Sequence, residues 1–389
     1  MRSIAREIEA FCHGPSCTPA PGSRYARAFM AGGSFRRFST TLAAFYGAVE
    51  EADVRKLKGD ASTRAYFRVE IDAAEARAQC KPASVIIMQL PESFGPATAA
   101  DTQARAFLDV RAFLASRDIP VPELYATDLE RGRLVLEDLG DLTFEARLRR
   151  DGAPWLPEAY KRAIDLLAQL HERCAPPQPP AASIAYRRRF DAALLRSELD
   201  HFREWGLEAV EGPLSAGDRA VLDGLFDQLT GELTALPDGL VHRDFQSRNL
   251  MWPTDDRLVV IDFQDAFIGP APYDLVALLC DSYVDLERRF QLDMLERYFE
   301  RRGFDAAMRE SFERGFDAIT VQRKLKDAGR FVFIDRVRKN SDFLPFYTPS
   351  LRHVDRALAH LPGCKGLRAL LQRLLPGFPE RPTPSSVAD

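Results

Sequence analysis

The order of local patterns constrains this chain more than any other property: short β-branched runs come first, and amphipathic helical stretches fill most of the remaining length. Val54 to Leu57 and Tyr66 to Ile71 read as strands flanking the turn-like Gly59-Asp60-Ala61-Ser62-Thr63. Val85 to Leu90 is a β-branched run suited to a buried strand, and Leu134 to Glu137 returns to strand. Between them Ala99 to Arg117 is helical, with Ala104, Phe107, Leu108, Val110, Ala112 and Phe113 at helical spacing. Gly140 marks a hinge. From Pro157 the pattern is helical, in Ala159 to Glu172, Phe190 to Trp205 and Arg219 to Ala235, and helices resume at Pro272. Two short apolar runs, Gly239 to His242 and Leu258 to Asp262, interrupt them. The expectation is an α+β chain with a small antiparallel-sheet lobe, one linker and a large, mainly helical lobe. The boundaries read as 1–48, a peripheral N-terminal extension; 49–140, the sheet lobe; 141–375, the helical lobe; and 376–389, a flexible Pro/Ser-rich tail.

Composition narrows the function classes. The 389 residues are 46% hydrophobic and 28% charged, an ordinary globular balance with enough chain for two cores. A net charge of -4 without a dense Lys/Arg block gives no footprint for nucleic acid. No apolar run is long enough for a membrane span, and Glu7 and Glu9 interrupt any secretory signal after Arg2 and Arg6. The six cysteines are scattered without metal-ligand spacing and read as free thiols of a reducing cytoplasm.

The chemistry is concentrated in Val241-His242-Arg243-Asp244-Phe245-Gln246-Ser247-Arg248-Asn249-Leu250 and in Val259-Val260-Ile261-Asp262-Phe263-Gln264-Asp265. Phosphoryl transfer needs an acceptor oxygen held in line and phosphate charge neutralised by Mg²⁺. Mg²⁺ is a hard ion that takes carboxylate and amide oxygens. An Asp followed five positions later by an Asn, then a strand ending in Asp-Phe, is the spacing of a kinase catalytic loop and its metal-binding partner. Asp244 is thus the candidate for orienting the acceptor hydroxyl, and Asn249 and Asp262 are the candidate metal ligands. The two apolar runs supply strands that aim both carboxylates into one site. Either motif alone is weak, since Arg and Asp commonly pair on surfaces. Their combination, after a sheet-then-helix order, points to the bilobal protein-kinase-like fold.

These motifs, with Gly269-Pro270 and Tyr273-Asp274-Leu275, resemble the aminoglycoside-phosphotransferase/choline-kinase superfamily. The stretches Gly59 to Arg68, Leu136-Glu137-Asp138-Leu139-Gly140 and His242 to Leu279 are similar, within it, to the bacterial kinases that phosphorylate the anomeric hydroxyl of N-acetylmuramate and N-acetylglucosamine in cell-wall recycling. The resemblance covers about Leu57 to Leu361. It implies ATP with Mg²⁺, a small-molecule acceptor, Asp244 as catalytic base, Asn249 and Asp262 as metal ligands, and Asp274 as a buried brace of the catalytic loop. A helix N-cap before Leu275 is the plainer role for Asp274. Gly59, Asp60, Ser62, Thr63 and Arg64 are implied to meet the nucleotide phosphates, and Glu137 and Leu139 the adenine.

Departures keep alternatives open. The strand Val85-Ile86-Ile87-Met88-Gln89-Leu90 lacks the phosphate-pairing lysine of kinases. Arg64 is the preferred substitute among Arg64, Arg68, Lys56 and Lys58, and a nucleotide-binding pseudokinase is the alternative if nothing replaces it. The short span from Asp262 to Asp274, with no Ala-Pro-Glu, leaves little room for a protein-kinase activation loop and favours a small acceptor. Candidate acceptor contacts are Glu198 and Trp205 on one helix face, Gln264 and Asp265 beside the metal ligand, and Arg248 for an anionic group. The stretch Gln322 to Lys326, with Gly329, Phe331 and Arg338, is expected to close the acceptor pocket. Other small-alcohol or aminoglycoside kinases share the motifs and remain the enzymatic alternative.

Overall fold

The structure is a computed structural model that describes residues 24–47, 49, 52–57, 64–90, 99–176, 179 and 182–384. The chain divides into two compact units, Met1–Ala104 with Pro122–Asp138, and Arg105–Val121 with Leu139–Asp389.

In the first unit α1 (Arg24–Tyr46) precedes β1 (Asp53–Lys56), β2 (Ala65–Glu70), a short α2 (Ala73–Ala78), β3 (Ser84–Gln89), β4 (Leu124–Asp128) and β5 (Arg133–Glu137). The strands form one antiparallel sheet in the order β1-β2-β3-β5-β4. Phe67 pairs with Ile87 and Val69 with Val85, so these side chains share one face with Val135. That face meets Phe38, Leu42 and Tyr46, which recur every fourth residue on α1. Arg133 ties the interface by donating to the Arg37 carbonyl at 2.8 Å, and Tyr46 donates to the Pro82 carbonyl at 2.7 Å.

Within the stretch read as peripheral, residues 35–46 belong to this core, because Phe38 and Leu42 are fully buried. Each such side chain contributes about 1.5–3 kcal/mol of burial. The opposite face of the sheet carries Arg68, across from Ile86. Its guanidinium grips the Asp138 carboxylate with Nε at 2.7 Å from Oδ2 and Nη2 at 2.9 Å from Oδ1.

The second unit holds most of the helices: most of α3 (Ala99–Ser116), then α4 (Phe144–Asp151), α5 (Leu156–Arg173), α6 (Ala192–His201), α7 (Ala216–Thr234), α8 (Tyr273–Leu279), α9 (Arg288–Arg302), α10 (Ala306–Arg338), α11 (Tyr347–Ala359) and α12 (Lys365–Leu374). The helix α3 falls mainly here and not in the sheet lobe, since Phe107 packs on Phe263 and Phe113 on Tyr186. Asp109 also accepts hydrogen bonds from Ser183 and the Ile184 N–H.

Two small antiparallel pairs carry the conspicuous motifs: β6 (Asp238–Val241) with β9 (Phe267–Pro270), and β7 (Leu250–Met251) with β8 (Val259–Val260). The 33-residue α10 is about 50 Å long at 1.5 Å per residue and is the axis of the unit. The chain leaves α6 through a π-helical stretch, Phe202–Glu208, against which α10 lies close. A Cβ on Gly329 would sit 2.8 Å from the Phe202 Cα, so only glycine permits this approach.

The tail assignment also changes. Phe378 is buried, Arg352 pairs with Glu380, and Thr348 donates to the Arg381 carbonyl, so residues 376–381 pack on α11. Among the described residues no helix is long and apolar enough to cross a membrane.

Candidate active site

The loop after β6 is held by a buried carboxylate. Asp274, fully buried in the first turn of α8, accepts the His242 N–H at 2.6 Å and the Arg243 N–H at 3.0 Å. It does not cap its helix: Pro272 holds that position without a side-chain bond. Arg243 adopts a left-handed φ of 81°, a conformation that costs a non-glycine residue about 1–2 kcal/mol. The two N–H bonds to Asp274 and a bond from Arg323 to the Arg243 carbonyl, at 2.8 Å, hold it there. Seven residues along, Asp281 accepts the Ser247 N–H at 3.0 Å and its hydroxyl at 2.5 Å, fixing the far end of the loop. Burial pushes the Asp281 carboxyl up, against Lys324 and these bonds.

His242 joins this loop to the next. Its Nδ1 lies 3.3 Å from the Asp244 N–H and its Nε2 3.1 Å from the Ile261 carbonyl. A backbone N–H facing Nδ1 assigns the proton to Nε2, which donates to Ile261. Asn249 adds a second link. Its Nδ2 donates to the Asp244 carbonyl at 2.9 Å, and its own carbonyl accepts the Ile261 N–H at 3.0 Å. The pairing of Leu250 with Val260 continues this ladder. Asp244, Asn249 and Asp262 therefore belong to one hydrogen-bonded framework. Asp262 is also left-handed, at φ 63°, and its Oδ1 accepts from Gln264 Nε2 at 2.8 Å.

The electrostatics are set from α10. Burial presses the Asp244 carboxyl upward, but Arg323, Lys326, Arg243 and His242 outweigh it and hold the group below the usual carboxylate range. Arg323 Nη2 stands 3.3 Å from Asp244 Oδ1, and its guanidinium lies over the Tyr273 ring at 4.8 Å. Asp244 keeps an exposed edge, with 36% of its side chain accessible.

With its amide nitrogen committed to Asp244, Asn249 offers its side-chain oxygen, and Asp262 offers a carboxylate, a hard donor pair suited to Mg²⁺. Among the described residues no group of three His, Cys, Asp or Glu gathers into a metal site. An amide and a carboxylate leave the remaining positions to water and phosphate oxygens, which is how Mg²⁺ is ordinarily held.

The other anticipated residues divide. Gln264 is buried beside Asp262, and Asp265 is exposed next to it. Glu198 accepts from Gln322 at 2.9 Å and stands 3.6 Å from Arg243. Trp205 sits farther along, edge-on to Phe333. Arg248 has a different occupation from the one expected. It donates to Glu145 at 2.7 Å and its guanidinium stacks 3.5 Å from the centre of the Tyr283 ring, so its charge is already matched within the fold. Leu139 packs with Met251, Val259 and Ile261, whereas Glu137 ends β5 and its carboxylate accepts the Glu123 N–H. Arg64 is half-buried before β2; Gly59, Asp60, Ser62 and Thr63 lie outside the described residues. Sequence reading passed over Asp281 altogether and did not pair Arg323 with Asp244.

The sequence model of the phosphotransferase enzyme family matches residues 53–310. The chain belongs to that family. An N-acetylmuramate/N-acetylglucosamine kinase of Pseudomonas putida is 33% identical over 294 residues, 74% of this chain and 78% of its own. One of the same name from Pseudomonas aeruginosa is 30% identical over 85% of this chain and 91% of its own. Among solved structures, a choline/ethanolamine kinase family protein from Mesorhizobium loti is similar, with a TM-score of 0.53 and 16% identity over 88% of this chain and 100% of that one. The protein is thus a phosphotransferase with an alcohol group as acceptor, built on the kinase fold. Its β3 lacks a lysine, and among the described residues of β2 and β3 the cation on the face away from α1 is Arg68, held by Asp138.

Proposed function

We propose that this phosphotransferase is an ATP- and Mg²⁺-dependent sugar kinase that phosphorylates the anomeric hydroxyl of N-acetylmuramate and N-acetylglucosamine. The observation that carries the reading is the single framework linking Asp244, Asn249 and Asp262 through the Asn249 amide and the His242 ring. The names of the relatives support the acceptor. In this reaction a bond forms between the acceptor oxygen and the terminal phosphorus as the bond to the ADP oxygen breaks. Asp244, ionised at neutral pH, accepts the hydrogen bond of the acceptor hydroxyl, aligns its lone pair and takes up the departing proton. Asn249 and Asp262 are the residues that would hold Mg²⁺, whose charge neutralises phosphate oxygens. Gln264 fixes the Asp262 carboxylate and Asp274 fixes the loop that bears Asp244.

The charge around Asp244 favours this acceptor over an aminoglycoside. Arg243, Arg323 and Lys326 surround it, which disfavours a polycation and suits a neutral or anionic sugar.

The test is to incubate the purified protein with ATP, Mg²⁺ and, separately, N-acetylmuramate, N-acetylglucosamine, kanamycin and choline, and to identify products by phosphorus NMR. An acid-labile sugar 1-phosphate is expected. Turnover of kanamycin or choline alone would replace the acceptor assignment, and nucleotide binding without turnover of any acceptor would establish a pseudokinase.

A further inference from the structure

Beyond Arg323, the helix α10 carries further cations on the same side. Lys326 and Arg330 follow Arg323 by three and seven residues, so all three fall within one stripe of the helix surface. At 1.5 Å per residue, Lys326 stands about 4–5 Å and Arg330 about 10–11 Å along the axis from the arginine that touches Asp244. Lys326 is half-buried and shares Asp327 with Lys324, its Nζ 3.1 Å from the carboxylate. Arg330 is exposed and has no ion-pair partner among the described residues. Its guanidinium instead lies 6.0 Å from the centre of the Phe333 ring.

The surroundings of Arg330 are those of an anion site next to a ring platform. Partial desolvation of its otherwise exposed side chain and the like charges of Arg338 and Arg243 lower its pKa, against Asp244 and Asp327. His201 is likewise held toward its neutral form by burial and by Arg330 and Lys326, against Glu204 and Glu198. Phe333 is met edge-on by Trp205 at 5.1 Å and by His201 at 5.4 Å, forming an aromatic wall beside the stripe. One turn before Lys326, fully buried Gln322 keeps its side-chain oxygen without a hydrogen-bond partner among the described residues.

We propose that Arg330, assisted by Lys326, binds a carboxylate on the acceptor, and so sets the preference of this site for anionic over neutral N-acetyl sugars. This rests on the sugar-kinase reading above. The two acceptors of that reading differ by one lactyl ether, whose carboxylate is the group a guanidinium grips with two parallel hydrogen bonds. An acceptor hydroxyl on Asp244 and a carboxylate on Arg330 are separated along α10 by a span that a hexosamine ring with its lactyl arm can bridge. The aromatic wall of Phe333, Trp205 and His201 flanks the Arg330 end of that span.

The experiment compares kcat/KM for N-acetylmuramate and N-acetylglucosamine in the wild type, Arg330→Gln and Arg330→Lys. Arg330 is exposed, so neither substitution disturbs a core. In Arg330→Gln the ratio of the two values is expected to fall at least tenfold against N-acetylmuramate, mainly through KM, with part of the loss recovered in Arg330→Lys. A ratio within twofold of wild type in both variants, while wild type phosphorylates both sugars, overturns this inference alone. Wild-type protein that phosphorylates neither sugar overturns the sugar-kinase reading and this inference with it.

Discussion

Replacing Asp274 by Asn separates a bracing role from a merely structural one. The carboxylate is fully buried and accepts two backbone N–H groups, at 2.6 Å from His242 and 3.0 Å from Arg243. Asparagine has the same shape but only one acceptor oxygen, so one of the two N–H groups faces an amide NH₂ instead. A buried donor left unpaired costs about 1–3 kcal/mol, and the loss of a charge-assisted bond places this one toward the upper end. The cost falls on a strained loop. Arg243 at φ 81° is about 1–2 kcal/mol above its relaxed conformation and needs both N–H bonds and Arg323 to stay there. Released, it rotates back toward negative φ and carries Asp244, its neighbour, out of line.

A misplacement near 1 Å costs on the order of 10²-fold in rate. The expected result for Asp274→Asn is therefore a kcat lower by about 10²-fold, little change in KM for either substrate, and a melting temperature lower by a few degrees. The assay is ADP release under saturating substrates, at a temperature where circular dichroism shows the variant folded. A folded variant with kcat within about threefold of wild type would refute the argument, because stability would then be the only thing Asp274 supplies.

Three further outcomes are expected from the same geometry. Asp262→Ala removes the carboxylate of the hard donor pair, and a Mg²⁺ titration should show activity abolished or its half-saturating concentration raised at least tenfold; an unchanged titration removes Asp262 from the metal site. Asp244 is held below the ordinary carboxylate range, so its ionised form persists above that lowered value and activity disappears only as pH falls through it. Arg323→Gln removes the nearest cation, and the acid limb of the kcat–pH profile should move to higher pH; an unmoved limb assigns the limb to another group. Phe38→Ala leaves a cavity between α1 and the sheet and should lower stability by about 3–5 kcal/mol, read as a lower melting temperature and faster proteolysis of the sheet unit, with wild-type stability placing α1 outside the core.

The parts of this site legible in the sequence are those whose chemistry fixes both residue type and spacing. Asp244 and Asn249 must sit five apart because the Asn249 amide turns back onto the Asp244 carbonyl, and Asp262 must follow a strand because β8 pairs with β7 just beyond Asn249. Val54 to Leu57, Tyr66 to Ile71 and Val85 to Leu90 announced strands because their composition does so locally. The helix α1 was harder: Gly32, Gly33 and a run of Arg, Ser and Thr dilute its apolar stripe, which among the described residues rests on Phe38, Leu42 and Tyr46 with Phe35 and Phe45 beside them. The hidden contacts act across long sequence separations. Arg323 is 79 residues from Asp244 and Asp281 is 34 from Ser247, and nothing local distinguishes these charges from solvated ones.

Even the basic stretch Gln322 to Lys326 reads the same whether it faces water or the Asp244 carboxylate. The deciding residue carries no charge. Gly329, lacking a Cβ, lets α10 close to within contact of the Phe202 backbone. That contact fixes the rotation of α10 about its axis, and the rotation determines that the stripe beginning at Arg323 lies against Asp244. The electrostatic character of the site thus depends on a packing feature six residues away from the charge it positions.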